Sequence, residues 1–254
     1  MPIGFIGTGT ISGAMVEGLS GLPEPPEIIV SPRSERISRK LAARFGNVRR
    51  ATSNAEAATA HIVVLGMRPA QVDEAMAGLS FGAEQIVVSL IAGLSLADVQ
   101  ALAPHSRVAR AVPMPGIARR TGPVTVYPDV REVADLFRPL GELFVVPDET
   151  RLYMGGLSAF MSSYFELQTT LIGAAMAAGA PEEDARRFVL AELHMLSETA
   201  RATPAESFDS LAAEHQTKGG LNERVRQTLI EGGWFEQVPG ALRDVTQISW
   251  KKLG

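Results

Sequence analysis

Gly7, Gly9 and Ser12 stand at the spacing G-x-G-x-x-S, directly after the apolar run Ile3-Gly4-Phe5-Ile6 and before a helical run. That spacing suits a pyrophosphate. Gly7 permits a tight turn, and Gly9 has no side chain to hold a phosphate off the backbone. Ser12 is small enough for helix and strand to pack closely. The helix that starts near Thr10 aims unpaired N–H groups and a partial positive charge at the phosphates. A glycine match of this kind is weak when it stands alone. Here it follows a strand and opens a helix; the plain alternative is an ordinary βα turn.

A second station follows the apolar run Ile28-Ile29-Val30. Ser31 lies 24 positions after Gly7, close to where an NAD-binding chain carries Asp or Glu for the ribose 2′-hydroxyl. No acid ends this run; Ser31, Pro32, Arg33 and Ser34 stand there instead. A guanidinium offers paired, planar contacts to phosphate, and hydroxyls add donors. An acid would repel a 2′-phosphate. The two stations together point to an NADP(H)-linked oxidoreductase. The alternative is a solvated Ser-Pro turn carrying a surface arginine.

These residues need a scaffold that brings strand ends together. Up to about residue 150, apolar runs at 3–7, 28–31, 61–66, 85–91, 107–112, 123–127 and 143–146 alternate with helical stretches. Short Val/Ile-rich runs, apolar on both faces, predict parallel strands covered by helices in a doubly wound α/β sheet. After Pro147 no strand pattern appears. The stretch 155–179 reads as a long helix rich in small residues, broken at Gly179-Ala180-Pro181. Pro181-Glu182-Glu183-Asp184 then opens another helix, with acids in its first turn. The expected architecture is a Rossmann-like dinucleotide domain over 1–150 and an all-α domain over 151–254. Met154, Leu157, Phe160, Met161, Tyr164, Phe165, Leu167 and Leu171 wrap more than one face of the first long helix. Such a helix is buried, against its own chain or at a subunit interface; a homodimer or higher homo-oligomer is the expectation.

Composition narrows the class. With 24 Lys and Arg against 28 Asp and Glu, the net charge is −4, and there is no basic footprint for nucleic acid or an anionic membrane. The absence of cysteine excludes disulfides and thiol chemistry. His61, His105, His194 and His215 lack metal-ligand spacing, and no apolar run is long enough to span a membrane. The chain begins in a core strand without a basic leader, so a cytoplasmic enzyme is expected.

In sequence the chain resembles the pyrroline-5-carboxylate reductases. The resemblance rests on Gly4-Phe5-Ile6-Gly7-Thr8-Gly9, Ser31-Pro32-Arg33-Ser34, Asn54-Ala55-Glu56-Ala57 and Val64-Leu65-Gly66-Met67-Arg68-Pro69. Ser89-Leu90-Ile91-Ala92-Gly93-Leu94-Ser95 and Arg110-Ala111-Val112-Pro113 extend it. In the second half it rests on Leu157-Ser158, Tyr164, Gly219-Gly220 and Glu231-Gly232-Gly233 with an aromatic pair after it. The resemblance implies a Rossmann domain, and a helical domain that interleaves with a second subunit. It also implies NADPH-linked reduction of the C=N bond of 1-pyrroline-5-carboxylate to L-proline. Ile6, Gly7, Thr8, Gly9, Thr10 and Ile11 are then expected at the pyrophosphate, and Ser31, Arg33 and Ser34 at the 2′-phosphate. Asn54 is expected by the adenosine, Met67, Arg68 and Pro69 along the ribose, and Ile91, Ala92 and Gly93 towards the nicotinamide.

The substrate half departs from the family pattern. Ser158-Ala159-Phe160-Met161-Ser162-Ser163-Tyr164 stands where the family reads Ser-Gly-Ser-Gly-Pro-Ala-Tyr. Gln216-Thr217-Lys218-Gly219-Gly220-Leu221-Asn222 stands where it reads Thr-Ser-Pro-Gly-Gly-Thr-Thr. A C=N reduction needs a hydride on carbon and a protonated nitrogen. A pyrroline nitrogen is basic enough to arrive partly protonated, so a strong general acid is not obligatory. The substrate carboxylate needs donors, and backbone N–H groups around Gly219-Gly220 form a candidate anion nest, with Lys218, Leu221 and Asn222 beside it. Tyr164 and Asn222 are the candidate catalytic residues. Tyr164 reads equally as a packed aromatic, and His215 as a capping residue. Two other functions stay open: reduction of another cyclic imine or a ketone, and a non-catalytic NADP(H)-binding protein. The 3-hydroxyacid dehydrogenases carry a Lys-x-x-x-Asn helix; the comparable stretch 160–166 has no lysine.

Overall fold

The computed structural model describes residues 1–246. The apolar runs form β1 (Ile3–Ile6), β2 (Ile28–Val30), β4 (Ile62–Leu65) and β5 (Ile86–Ser89), and every residue in these four strands is buried. With β3 (Val48–Arg50), β6 (Arg107–Pro113), β7 (Pro123–Tyr127) and β8 (Glu142–Val145) they make one eight-stranded sheet of order 3-2-1-4-5-6-7-8. Strands apolar on both faces need a cover on both. On one face α1 (Thr10–Ser20) brings Met15, Val16 and Leu19 onto Phe5, Ile117, Phe137 and Leu140. On the other, Ala57 of α3 (Asn54–Ala57), Val72 of α4 (Val72–Met76) and Val99 of α5 (Leu96–Leu102) cover Ile6, Leu65 and Val87. Helices α2 (Glu35–Arg44) and α6 (Arg131–Phe137) complete the layers. This is the expected doubly wound sheet.

Two details depart from the reading of the sequence. The sheet is mixed: β7 pairs antiparallel with β6, while β8 runs parallel to β7. The link over 114–122 is too short for a crossover, which takes a dozen residues or more. The edge strand β3 carries one apolar residue in three, Val48-Arg49-Arg50, too little pattern to be read as a strand.

By internal contacts the chain divides into Met1–Gly156 and Leu157–Val245. The helix expected from 155 begins at Met161, preceded by 3₁₀ turns over Glu149–Phe160. The second unit contains α7 (Met161–Ala177), α8 (Glu182–Ala202), α9 (Phe208–Glu214), α10 (Leu221–Glu231) and α11 (Trp234–Thr246). Gly179, in a left-handed conformation, separates α7 from α8. Helix α7 packs along α8 but buries none of its own residues. The part of the 151–254 expectation beyond 246 lies outside the described residues.

Candidate functional site

The chain leaves β1 at Ile6 and turns at Gly7, whose φ of 89° favours glycine. A Cβ at Gly7 would also stand 2.5 Å from the Met67 backbone nitrogen. Gly9 is different. It caps α1, and a Cβ there would meet only the Gly66 carbonyl oxygen, at 3.7 Å. The protein itself therefore leaves room at Gly9. The α1 N–H groups of Thr10, Ile11 and Ser12 have no carbonyl one turn before them, which is a phosphate-binding arrangement. The fit between β1, α1 and β4 is close. A Cβ on Gly66 would fall 2.0 Å from the Ser12 hydroxyl, and Ser12 is fully buried.

The strand order places β1 between β2 and β4, so the chain moves to opposite sides of β1 and a crevice opens at the strands' carboxyl ends. Gly7 follows β1, Ser31 follows β2, Asn54 follows β3, Met67 follows β4 and Ile91 follows β5. Every residue expected at the cofactor thus lies at this one end of the sheet. Arg68 and Ala92 are exposed, whereas Met67 and Ile91 are buried. Pro69 begins a 3₁₀ turn, and Gly93 takes a left-handed conformation at φ 79°.

The structure revises the role of Ser31 at the ribose end. Ser31 is fully buried, and its hydroxyl accepts the Gly7 N–H at 3.0 Å and lies 3.2 Å from the buried Thr8 hydroxyl. It braces the glycine turn and has no hydroxyl facing outward. Thr8 also donates to the Ser31 carbonyl, at 3.2 Å. Arg33 is 45% exposed and pairs with Glu74 of α4 at 2.8 Å. Ser34 caps α2 without a side-chain capping bond. Asn54 donates to the Ala75 carbonyl at 3.0 Å, which ties α3 to α4.

Glu56, on the same α3, is held down to about 2. The Thr52 N–H donates to it, and the Thr52 hydroxyl and Arg49 add to the effect.

At the second glycine turn, Gly219 adopts φ 73° and Gly220 caps α10. The nest is not open. Gly219 N–H donates to the Glu223 carboxylate at 2.5 Å, and Gly220 N–H donates to the Thr217 carbonyl at 2.7 Å. The expectation that both N–H groups face a ligand is corrected: Glu223 reaches back over the turn, as a carboxylate in the first turn of a helix commonly does. The donors that remain are the first-turn N–H groups of Leu221 and Asn222. Asn222 gives its side-chain N–H to the His215 carbonyl at 2.6 Å, which leaves its Oδ1. His215 donates its Nδ1–H to the Leu211 carbonyl at 2.8 Å, and the residue caps α9. Lys218 is exposed. The Tyr164 ring lies against Phe165, centroids 6.0 Å apart, and its hydroxyl has no hydrogen-bond partner among the described residues. No cluster of metal-ligating side chains exists among the described residues.

Residues 2–93, which contain β1 to β5, match the family described as "NADP oxidoreductase coenzyme F420-dependent". Over nearly the whole chain the similarity is to another group. The pyrroline-5-carboxylate reductase of Corynebacterium melassecola is 27% identical over 92% of this chain and 93% of its own length. That of Synechocystis is also 27% identical, over 83% of this chain and 84% of its own. The chain is thus similar to these reductases along most of its length. Solved structures agree on the fold. The Streptococcus pyogenes pyrroline-5-carboxylate reductase superimposes with a TM-score of 0.84 at 21% identity, covering 97% of this chain and 96% of its own. The Plasmodium falciparum pyrroline carboxylate reductase, solved with NADP bound, gives 0.84 at 16% identity, covering 97% and 96%.

Three contacts escaped the sequence reading: Glu74 with Arg33, Glu223 over Gly219, and Arg50 with the 31–34 loop. Only Glu223 had a signal, since an acid three residues into a helix after a Gly-Gly turn is a capping pattern.

Proposed function

We propose that this protein is an NADPH-dependent reductase that converts 1-pyrroline-5-carboxylate to L-proline. The similarity to curated pyrroline-5-carboxylate reductases along 92% of the chain carries this reading. The local chemistry fits the cofactor. Gly9 leaves open space over the first turn of α1 for a pyrophosphate, and no acid ends β2 to repel a 2′-phosphate. Bound NADPH supplies the hydride to the imine carbon.

The chain's own part is to bind, orient and exclude. The N–H groups of Thr10 and Ile11 hold the pyrophosphate, and Arg33 and Ser34 hold the 2′-phosphate. Ser31 acts from behind, by fixing Gly7. Asn54 lies by the adenosine, Met67, Arg68 and Pro69 along the ribose, and Ile91, Ala92 and Gly93 towards the nicotinamide. The imine arrives protonated, so the reduced nitrogen needs no proton from a side chain. Leu221 and Asn222 N–H groups receive the substrate carboxylate, with Lys218 adding charge and Gly219-Gly220 shaping the turn. Tyr164 and the Asn222 Oδ1 orient the ring nitrogen.

The helical unit serves as the dimerisation unit. Leu157, Met161, Phe165, Phe188, Met195 and Leu196 are all exposed large apolar residues on it. An apolar surface of this extent marks an interaction face, and the expected interface exceeds about 2,000 Å². We place the enzyme in the cytoplasm: it has no cysteine, and no described helix is long and apolar enough to cross a membrane. NADPH oxidation against 1-pyrroline-5-carboxylate, related cyclic imino acids and imines lacking a carboxylate tests the reading. Proline formation is expected; activity confined to imines without a carboxylate would overturn the substrate.

A further inference from the structure

Arg50 ends β3, paired in parallel register with Val30 at the end of β2. Its side chain therefore leaves the sheet beside the 31–34 loop. Nη2 donates to the Pro32 carbonyl at 3.1 Å, and Nε donates to the fully buried Ser38 hydroxyl at 3.1 Å. Both acceptors are neutral. The neighbouring cations are neutralised: Arg33 faces Glu74, and Arg49 faces Glu27 and Glu56. Among the described residues no carboxylate lies within 4.0 Å of Arg50, which is half-buried. A partly desolvated charge without a counter-ion is unfavourable, and neutral hydrogen bonds satisfy its donors but not its charge. The loop that this guanidinium fastens is the one where a dianionic phosphate is expected.

We infer that Arg50 is a specificity-determining positioning residue for NADPH over NADH. It holds the Pro32 carbonyl, so that Arg33 and Ser34 keep their places, and it supplies the loop with positive charge that no carboxylate cancels. This rests on the assignment of the 31–34 loop to the 2′-phosphate. The glycine turn and the 2′-phosphate loop are joined through it: Arg50 grips Pro32, and the adjoining Ser31 grips Gly7.

The test is the dissociation constants of NADPH and NADH for the full chain, wild type and variants, with thermal midpoints alongside. Arg50→Gln keeps a donor near Pro32 and removes the charge. It is expected to weaken NADPH by about tenfold while changing NADH by less than about twofold. Arg50→Lys, which retains charge, is expected to recover part of the preference. A purely structural role would weaken both cofactors equally and lower the thermal midpoint in both variants; that result, or unchanged NADPH affinity, would overturn the inference. If Arg50→Gln does not fold, Arg50→Lys decides: a preference for NADPH unchanged from a wild-type control, or an equal loss of both cofactors, would reject it, and a partial loss confined to NADPH would support it. Arg33→Ala separates the two levels. Selective loss of NADPH there without loss in Arg50→Gln would reject Arg50 alone. No selective loss in either would reject the 2′-phosphate loop itself.

Discussion

At Gly4, Gly7 and Gly66 of the sheet unit an added Cβ would collide with neighbouring protein atoms, while along α7 no residue is fully buried. Between residues 157 and 243, Ala185 and Val189 are the buried hydrophobic residues. In β1, β2, β4 and β5 every residue is buried. The first unit buries these central strands within itself, leaving Phe144 and Val145 of the edge strand β8 exposed. The second presents Phe165 at 63% and Phe188 at 68% exposure, apolar area that favours removal from water. The contrast separates a backbone arrangement that one chain builds from a helical surface left apolar and exposed, which the proposed second copy would cover.

The largest expected effects test whether the sheet unit is as tightly determined as its geometry implies. A Cβ on Gly4 would lie 2.0 Å from the Ala57 carbonyl oxygen, backbone against backbone. Gly4→Ala should cost about 3 kcal/mol of stability, read from chemical denaturation. Gly9→Ala should leave the thermal midpoint unchanged, since the nearest protein atom is 3.7 Å away. It should still weaken NADPH and NADH alike by about tenfold or more, because the methyl group occupies phosphate space. A Gly9→Ala protein that is destabilised but binds normally would place that glycine with Gly4, as a packing residue.

The helical side of the comparison breaks differently. Phe165→Glu removes apolar area from an exposed face, so the isolated fold should lose little. Burying a phenylalanine is worth about 1.5–3 kcal/mol per copy, and a symmetric dimer loses it twice. Sedimentation should show monomers at micromolar concentration, with turnover lost and NADPH binding retained. A variant that stays dimeric would remove this face of α7 from the interface.

What could be read from the sequence divides along the same line. The glycine turn was legible because its chemistry depends on what is absent from Gly7 and Gly9, and the strands because four residues apolar on both faces leave few alternatives. Ser31 differs from its reading: its position suggests a ribose contact, but its hydroxyl is buried beside Thr8 and serves the turn. Arg50 was invisible because β3 has almost no apolar pattern. Glu74 pairs with Arg33 from 41 positions away, a contact that follows only from the packing of α4. In the helical unit, the apolar runs announced burial without naming what does the burying.

Smaller effects sharpen the ribose end. Glu74 and Arg33 are both exposed, so their pair is worth at most about 1 kcal/mol. Glu74→Gln should free Arg33 and tighten NADPH by about two- to fivefold, with NADH unchanged, as measured by cofactor fluorescence titration. A weakened NADPH complex would mean that Glu74 orients Arg33 and does not compete with the phosphate.

The smallest effect concerns acid. Glu56 is lowered from an ordinary 4.5 to about 2, first by the Thr52 N–H, then by the Thr52 hydroxyl and by Arg49. A carboxylate whose folded value is depressed stabilises the fold fully above its unfolded value and loses that contribution as pH falls through the folded one. The window here runs from about 4.5 down to about 2. The difference in thermal midpoint between wild type and Glu56→Gln should therefore be constant near neutrality and shrink as pH is lowered across that window. Because the carboxylate is solvent-facing, the difference should be small and should fall further with added salt. It should appear in the sheet unit, where Glu56 ties Arg49 of β3 to α3 next to Asn54. A difference that is independent of pH would show that Glu56 acts through its uncharged hydrogen bonds to Thr52 and not through its charge.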